Sequence, residues 1–320
     1  MQAPAIPYGR TARRLTWEFL PPPLRAAIES HLGGPVAEAV SQDAGFTPGF
    51  ASVLSTADGA SAFVKAANRK AQAPIASAYA EEGRKRTLLG DVVPAPALLW
   101  SMDDPHEDGW VVLGFETSAG RLPSRPWTDA DLGIALDLAE EIADRTSALP
   151  SETLDALRLD PITDDIPELV TSWSKVAAIF PERDHLEDAD DLARTFADLP
   201  DRALVHADMR DDNILIDDSD GVAVACDWNW PALGPAWLDT VDLLTAARGD
   251  GIDVEPLLAS RRLTQDVDPE AIDSWLAAYC GFMTVAGTRP APSSSPFLPG
   301  HALWSAEASW EWLCARRRWR

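Results

Sequence analysis

Short apolar runs separated by turn residues characterise the first third of the chain. Between residues 36 and 67 this pattern predicts strand, glycine-containing turn, strand, hairpin and strand, with the hairpin at Asp58-Gly59. Two later runs, 92–100 and 110–116, predict further strands of the same sheet. The first 20 residues show no period and are expected to form a surface arm. Helices are predicted at 24–32 and 75–89.

Beyond residue 127 the apolar positions recur at helical spacing. Thr128 is expected to cap a helix that runs to about Leu149, and Asp268-Pro269 to open another that runs to about Val285. The sequence therefore predicts a sheet-rich half of residues 1–117 and a helical half of residues 118–320. The other predicted helices span 167–180, 185–197, 254–263 and 301–318, and one more begins near Gly234.

A loop between two short strands carries an unusual polar cluster. The apolar run 203–205 leads into His206 and Asp208, and Asn213 begins the next apolar run. After a turn at 219–221, a third run ends at Asp227. The paired strands are expected to return Asp227 to the neighbourhood of Asp208.

Phosphoryl transfer from a nucleotide needs these groups. One carboxylate, here Asp208, would orient the attacking hydroxyl, while Asn213 and Asp227 would hold Mg²⁺ against the phosphates. The alternative is a plain turn, because Asp and Asn favour turns for backbone reasons. We expect His206 to be an interior brace of the loop rather than a proton carrier.

The residues HADMRDDNILI, with the later ACDW, resemble the catalytic core of the aminoglycoside phosphotransferase family within the wider protein-kinase-like group. The resemblance extends from about Val36 to the end of the chain. It implies the α+β fold class and a two-lobed kinase-like fold, in which an N-terminal antiparallel sheet lobe, 1–117, precedes a mainly helical C-terminal lobe, 118–320. ATP and Mg²⁺ would occupy the cleft between the lobes.

The resemblance also implies roles in the first lobe. Lys65 would reach the nucleotide phosphates from its strand, although a surface lysine on an edge strand is the alternative. A helix carboxylate would hold this lysine, and Glu82 is preferred while Glu81 stays open. The turn at Gly45 and Gly49 would lie over the phosphates, or would be an ordinary hairpin turn.

Further roles follow from the order of segments along the chain. Backbone groups of Gly114, Phe115 and Glu116 would bind a purine, as in the family's hinge, unless this run is simply a buried strand. Asp239 would brace the catalytic loop from beneath, or would serve only the start of its own helix. Arg210 would either stabilise charge on the transferred group or pair with a neighbouring acid at 211 or 212.

A formal net charge of −24 argues against binding to nucleic acid or anionic membranes and favours a cationic acceptor, although acidity also serves solubility. Three scattered cysteines suggest no disulfide framework, and no apolar run is long enough to span a bilayer. We therefore expect a cytoplasmic protein that is a monomer or a weak homodimer.

The expected activity is transfer of the γ-phosphate of ATP to a hydroxyl of a small cationic acceptor, such as an aminoglycoside or amino sugar. Acidic residues between Glu182 and Asp191 could line the acceptor site, although a solvated helix face is the preferred interpretation. The Pro/Ser-rich loop 288–300 would either border the acceptor pocket or merely connect two helices. A macrolide, choline or homoserine is the alternative acceptor. A nucleotide-binding module without turnover is the alternative from another class, and the complete set of Lys65, Asp208, Asn213 and Asp227 argues against it.

Overall fold

Five antiparallel strands form a sheet in the order β1-β2-β3-β5-β4. The computed structural model describes residues 11–42, 44–106, 108–199 and 203–319, so the predicted arm at residues 1–10 lies outside the described residues. The elements of this first part are α1 (Pro22–Leu32), β1 (Val36–Ser41), β2 (Phe50–Thr56), β3 (Ser61–Asn68), α2 (Ala73–Leu89), β4 (Leu98–Asp103) and β5 (Trp110–Phe115).

Alternation along the central strand β3 gives the sheet two apolar faces. Ala62, Val64 and Ala66 pack on one face with residues of α1, whereas Ala67 packs on the other face with Tyr79 of α2. Both faces are covered, so a polar residue within β3 must find its partners inside the protein. Lys65 is such a residue. The sequence placed it at the end of the strand, whereas it lies three residues before Asn68, the last residue of β3.

The predicted surface arm is wrong at the buried positions of residues 11–20. Trp17, in the short 3₁₀ turn Trp17–Phe19, and Leu20 are buried against Ile28 and Phe50. Their burial depends on contacts with distant strands, for which the local sequence carries no periodic signal.

The rest of the chain is mainly helical, which confirms the α+β class. Thr128 caps its helix as predicted, because its side chain accepts a hydrogen bond from the Asp131 N–H. The predicted helix 167–180 is divided into two, and a helix at Ser151–Leu157 was not predicted. The first helices here are α3 (Asp129–Ser147), α4 (Ser151–Leu157), α5 (Ile162–Asp165), α6 (Glu168–Thr171), α7 (Trp173–Ile179) and α8 (Leu186–Thr195).

Two small two-stranded sheets and the helices α9 to α12 complete the described part of the chain. Strand β6 pairs with β9, and β7 pairs with β8. Helices α11 and α12 pack against each other, and α12 packs on α9. The elements are β6 (Ala203–Val205), β7 (Ile214–Asp217), β8 (Val222–Ala225), β9 (Ala232–Gly234), α9 (Leu238–Gly249), α10 (Glu255–Ser260), α11 (Pro269–Gly287) and α12 (Leu298–Arg317). Among the described residues, no helix has both the length and the apolar character needed to cross a membrane.

Candidate active site

The loop between β6 and β7 is organised around Asp208. The side-chain amide of Asn213 donates to the Asp208 carbonyl at 2.9 Å and to its carboxylate at 3.0 Å. The start of β7 is in turn tied to the end of β8, because Cys226 N–H donates to the Asn213 carbonyl at 2.8 Å. This pairing brings Asp227, the next residue, beside the loop that carries Asp208.

His206 is fully buried and contacts both the Asp208 loop and the segment that follows β8. Its Nε2 lies 2.8 Å from the Cys226 carbonyl, and its Nδ1 accepts the Asp208 N–H at 3.3 Å. One ring nitrogen must therefore donate while the other accepts, which requires the neutral imidazole. This geometry is that of a structural brace.

Asp239 holds the same loop from α9. Its two oxygens accept the N–H groups of His206 at 2.8 Å and Ala207 at 2.9 Å. Burial raises the pKa of Asp239, while these backbone donors favour the charged form. Ala207 lies in the left-handed region at φ 62°, a conformation costing roughly 1 kcal/mol or more that these hydrogen bonds offset. The Asp239 carboxylate thus stabilises the loop and does not cap its own helix.

Lys65 extends from β3 into the cleft and is held by two carboxylates. Its ammonium lies 2.8 and 2.9 Å from the oxygens of Glu82 and also contacts Asp227. Burial disfavours the ammonium, yet Asp227 and Glu82 together raise the pKa of Lys65 above its usual value. Burial likewise opposes ionisation of Asp227, but Lys65 lowers the pKa of that carboxyl.

The choice between the two neighbouring glutamates is settled by the helix face. Glu82 is buried, and burial raises its pKa, which Lys65 partly offsets. Glu81 lies one position earlier on α2, on the solvent side, and pairs with Arg84 at 2.8 Å. Adjacent residues on a helix point about 100° apart, so only one of the two can reach the lysine.

Arg210 pairs with Asp212 at 3.0 Å and lies 3.4 Å from Asp208. The alternative of a pair with a neighbouring acid is therefore confirmed for Asp212, while Asp211 contacts Arg125 at 2.7 Å. Burial opposes the guanidinium charge, but Asp208 and Asp212 raise the pKa of Arg210. The arginine therefore carries a permanent charge next to Asp208.

The glycine turn is anchored by residues near the start of the described chain and by the segment that precedes α12. The Gly45 carbonyl accepts hydrogen bonds from Thr11 at 2.7 Å and Arg14 at 2.8 Å, and the Phe46 carbonyl accepts one from Ser295 at 2.6 Å. A Cβ at Gly49 would lie 2.5 Å from the hydroxyl of buried Tyr79, so glycine is needed there for close packing. A role over phosphates stays a prediction for this turn.

The structure contradicts the predicted purine contact of Gly114, whereas those of Phe115 and Glu116 stay predictions. Gly114 pairs with Val64 and Trp100 on its two neighbouring strands, so its backbone polar groups belong to the sheet. A Cβ there would come within 2.2 Å of the Trp100 ring, which explains the glycine. Glu116 N–H donates to the carbonyl of residue 97 at 2.8 Å and is engaged as well. Phe115 does face the cleft, with its ring centroid 5.6 Å from the Lys65 ammonium.

A cavity of about 630 Å³ opens beside Asp208. The sequence did not identify its walls, because they come from α2, α9, α11 and α12, which are far apart in the chain. Neither 182–191 nor 288–300, both fully described, contributes a residue to the lining of this cavity, so a role of these segments in the acceptor wall stays a prediction. Lining side chains from these helices include Glu81, Asp242, Tyr279, Phe282, Met283 and Trp304.

Asn213 and Asp227 are suited to a hard divalent cation. Mg²⁺ prefers oxygen ligands and is commonly held by one or two protein groups together with phosphate oxygens. The Asn213 nitrogen is committed to Asp208, so its amide oxygen is the group left for a cation. Within the described ranges, no group of three or more His, Cys, Asp or Glu residues forms a metal site. A nucleotide would thus have to supply the remaining ligands.

The fold and this cleft define the class of protein as a kinase-like phosphotransferase, and comparison with known proteins agrees. The model of the phosphotransferase enzyme family matches residues 37–290, so the chain belongs to this family. No curated protein sequence matches the chain.

Solved structures share the fold at low sequence identity. A GDP and kanamycin complex of APH(2″)-IIIa is 16% identical, with a TM-score of 0.60 over 92% of this chain and 97% of the other. APH(4)-Ia with AMP-PNP and hygromycin B is 12% identical, with a TM-score of 0.61 over 94% and 100% of the two chains. The macrolide 2′-phosphotransferase MphH from Brachybacterium faecium is 14% identical, with a TM-score of 0.55 over 90% and 98%.

Proposed function

We propose that the protein transfers the γ-phosphoryl group of ATP to a hydroxyl of a small acceptor, with Asp208 as the catalytic carboxylate. One observation carries the proposal. A lysine from the sheet and an aspartate from the second half of the chain, Lys65 and Asp227, meet in a cleft next to the braced Asp208 loop.

In this proposal Lys65 binds the α- and β-phosphates, and Glu82 keeps its ammonium in position. The acceptor hydroxyl approaches from the large cavity, where Asp208 orients it and accepts its proton as the oxygen bonds to the γ-phosphorus and ADP departs. Arg210, charged and 3.4 Å from Asp208, stabilises the negative charge of the transferred group.

Asn213 and Asp227 would hold Mg²⁺, which neutralises charge on the phosphates when it is bound. Two of the similar solved structures support a nucleotide with either adenine or guanine as its base. The GDP complex of APH(2″)-IIIa and the AMP-PNP complex of APH(4)-Ia share this fold. We therefore include GTP beside ATP in every assay.

The acceptor is proposed to be cationic, such as an aminoglycoside or amino sugar, with macrolides and amino alcohols as the alternatives. Kanamycin, hygromycin B, a macrolide and choline form the first panel, since related folds have been solved with the first two. The protein itself is expected to be cytoplasmic and to act as a monomer or weak homodimer.

The test compares the native protein with Asp208→Asn in an assay of ADP release and phosphorylated product. The matched control is Asp191→Asn, which removes one exposed carboxylate from α8. We expect Asp208→Asn to lower kcat by roughly 10²- to 10⁴-fold, the usual contribution of a positioned acid or base, with little change in KM for ATP. Asp191→Asn should behave as the native protein.

Nucleotide binding at equal levels in all three proteins, without transfer to any acceptor, would instead identify a binding module. Equal turnover by the native protein and Asp208→Asn would remove Asp208 from the chemistry.

A further inference from the structure

The segment that precedes α1 brings an arginine to the glycine turn. Arg14 donates from Nη2 to the Gly45 carbonyl at 2.8 Å. The segment itself is held on both sides of this residue. Trp17 is buried in the core of the first sheet, and the Arg13 backbone N–H donates to the Ser294 carbonyl at 2.7 Å. The position of Arg14 is therefore set by the packing of its segment.

The guanidinium of Arg14 has donors that the protein does not use. Among the residues that the structure describes, the Gly45 carbonyl is its only hydrogen-bond acceptor, and no carboxylate forms an ion pair with it. Its Nε is buried and has no acceptor in this part of the chain. A buried donor that stays unsatisfied costs free energy, whereas a ligand that accepts from it recovers that cost. The side chain as a whole is half-buried, so a ligand can still reach it.

The glycine turn extends from Arg14 toward the catalytic loop. The ring of Phe46, the residue after Gly45, lies 5.5 Å from the guanidinium carbon of Arg210. Arg210 in turn lies 3.4 Å from Asp208. The part of the turn that Arg14 contacts is therefore at the end of the cleft where the phosphoryl group would be transferred.

The charge of Arg14 also acts on the groups around Lys65. The Tyr79 ring lies 5.5 Å from the Lys65 ammonium, and the charges of Lys65 and Arg14 both oppose the rise that burial causes in the pKa of Tyr79. Burial opposes ionisation of Asp227, whereas Lys65, Arg14 and Arg210 together lower the pKa of that carboxyl. Cations from three separate parts of the chain thus act on one side of the cleft.

These three cations differ in how far the protein already compensates them. Lys65 is paired with Glu82, and Arg210 is paired with Asp212. Arg14 has no such partner within the described ranges, although the whole chain has a formal net charge of −24. A triphosphate carries more negative charge than Mg²⁺ and one lysine neutralise together. The planar guanidinium fork matches the geometry of phosphate oxygens.

We propose that Arg14 binds the terminal phosphates of the nucleotide from the segment before α1. This inference rests on the phosphotransfer function proposed above and adds a residue to its nucleotide site. Lys65 would hold the α- and β-phosphates from the sheet, while Arg14 would hold the end of the triphosphate that faces Asp208. Residue 14 precedes the range 37–290 that the family model matches, so this contact is not part of that model.

A purely structural role for Arg14 makes a different prediction. The Thr11 hydroxyl also donates to the Gly45 carbonyl, at 2.7 Å, so the turn has a second, uncharged anchor. If Arg14 only anchored the turn, its loss would weaken every nucleotide to the same degree. A direct contact with phosphate instead makes the loss depend on the number of phosphates in the ligand.

The experiment measures binding of ATP, ADP, AMP and adenosine by calorimetry in the presence of Mg²⁺, with the guanine series in parallel. Arg14→Gln removes the charge and keeps an N–H donor for the Gly45 carbonyl. We expect this variant to bind ATP about tenfold or more weakly, as for loss of one charge-assisted hydrogen bond, and ADP less weakly than ATP. Its affinity for AMP and adenosine should be unchanged.

Three further variants separate charge from structure. Arg13→Gln removes the same charge from the neighbouring, exposed side chain and should leave all affinities unchanged. Thr11→Val removes the uncharged anchor and should affect the four ligands alike. Arg14→Lys should recover part of the ATP affinity, because it restores the charge without the planar fork. Thermal denaturation verifies that every variant is folded.

Equal weakening of ATP and adenosine by Arg14→Gln, or equal effects of Arg13→Gln and Arg14→Gln on ATP, would overturn the inference. Unchanged ATP affinity in Arg14→Gln, together with transfer by the native protein, would also overturn it and leave the phosphotransferase function intact. The expected dependence on phosphate number without transfer to any acceptor would support the inference and contradict the phosphotransferase function. Failure of the native protein to bind any nucleotide would overturn both.

Discussion

The ammonium of Lys65 contacts the carboxylate of Asp227, 162 residues later in the chain. This contact joins the sheet of the first half directly to the hairpin β7–β8 of the second. Glu82 supplies a second carboxylate from helix α2, so Lys65 has a charged partner that does not depend on Asp227. Lys65, Glu82 and Asp227 therefore form one cluster, in which Lys65 contacts both carboxylates.

Glu82→Gln should lower both stability and nucleotide affinity. Loss of a charged hydrogen-bond partner for buried Lys65 is expected to cost about 2 kcal/mol of unfolding free energy. The displaced ammonium should raise KM for ATP and reduce kcat/KM roughly 10- to 100-fold. Chemical denaturation and steady-state kinetics with varied ATP measure the two effects.

Glu81→Gln provides the matched control at the next position. Its pair with Arg84 lies on the surface, where such pairs contribute about 0.5 kcal/mol or less. Equal losses in the two variants would show that Lys65 does not depend on the helix carboxylate.

Gly114→Ala should destabilise the sheet because a methyl group at this position would overlap the Trp100 ring. Overpacking of this kind typically costs about 1–3 kcal/mol. The same change in a Trp100→Ala background should cost much less, since the obstructing ring is gone. Denaturation midpoints of the single and double variants measure this coupling.

Gly133→Ala is the control for a glycine with space around it. No atom lies within 4 Å of a Cβ added there, and the residue belongs to α3, so alanine should stabilise the protein by roughly 0.5–1 kcal/mol. Similar destabilisation by both alanines would contradict a packing role for Gly114.

Asp242→Asn should become increasingly stabilising as the pH rises. The folded-state pKa of Asp242 lies well above 3.8, chiefly through burial and then through Asp239. Between these two pKa values the folded state binds more protons than the unfolded state, so this residue lowers the unfolding free energy with rising pH. Asparagine does not titrate. Melting temperatures of both proteins from about pH 4 to about pH 8 should diverge in favour of the variant. A difference that is constant over this range would show that Asp242 ionises normally.

The Asp208 loop could be predicted from sequence because its groups are contiguous and its flanking strands are marked by apolar runs. Lys65 was predicted because it follows the short apolar run 62–64 in a chain with only four lysines, where the resemblance expects a strand-borne lysine. In both cases a local pattern reflects the tertiary arrangement.

Other features depended on packing that no local pattern records. Gly114 was assigned to purine binding from the order of segments along the chain, because recognition by backbone groups has no side-chain signature, whereas Trp100, which explains the glycine, lies on the neighbouring strand. Trp17 was placed at the surface because its segment has no period. In the sequence, Asp242 and Tyr279 do not differ from ordinary helical residues. Only the packing of α11 and α12 shows that they line the cavity.

Asp239 and Asp242 lie within a single turn of helix α9. Asp239 contacts the backbone of the Asp208 loop, and Asp242 lines the cavity. The brace of the Asp208 loop and part of the cavity wall are thus three positions apart on one helix. A one-residue insertion in this turn would disrupt both together. A substitution at position 242 alone would change the cavity wall and leave the hydrogen bonds from Asp239 to the loop in place.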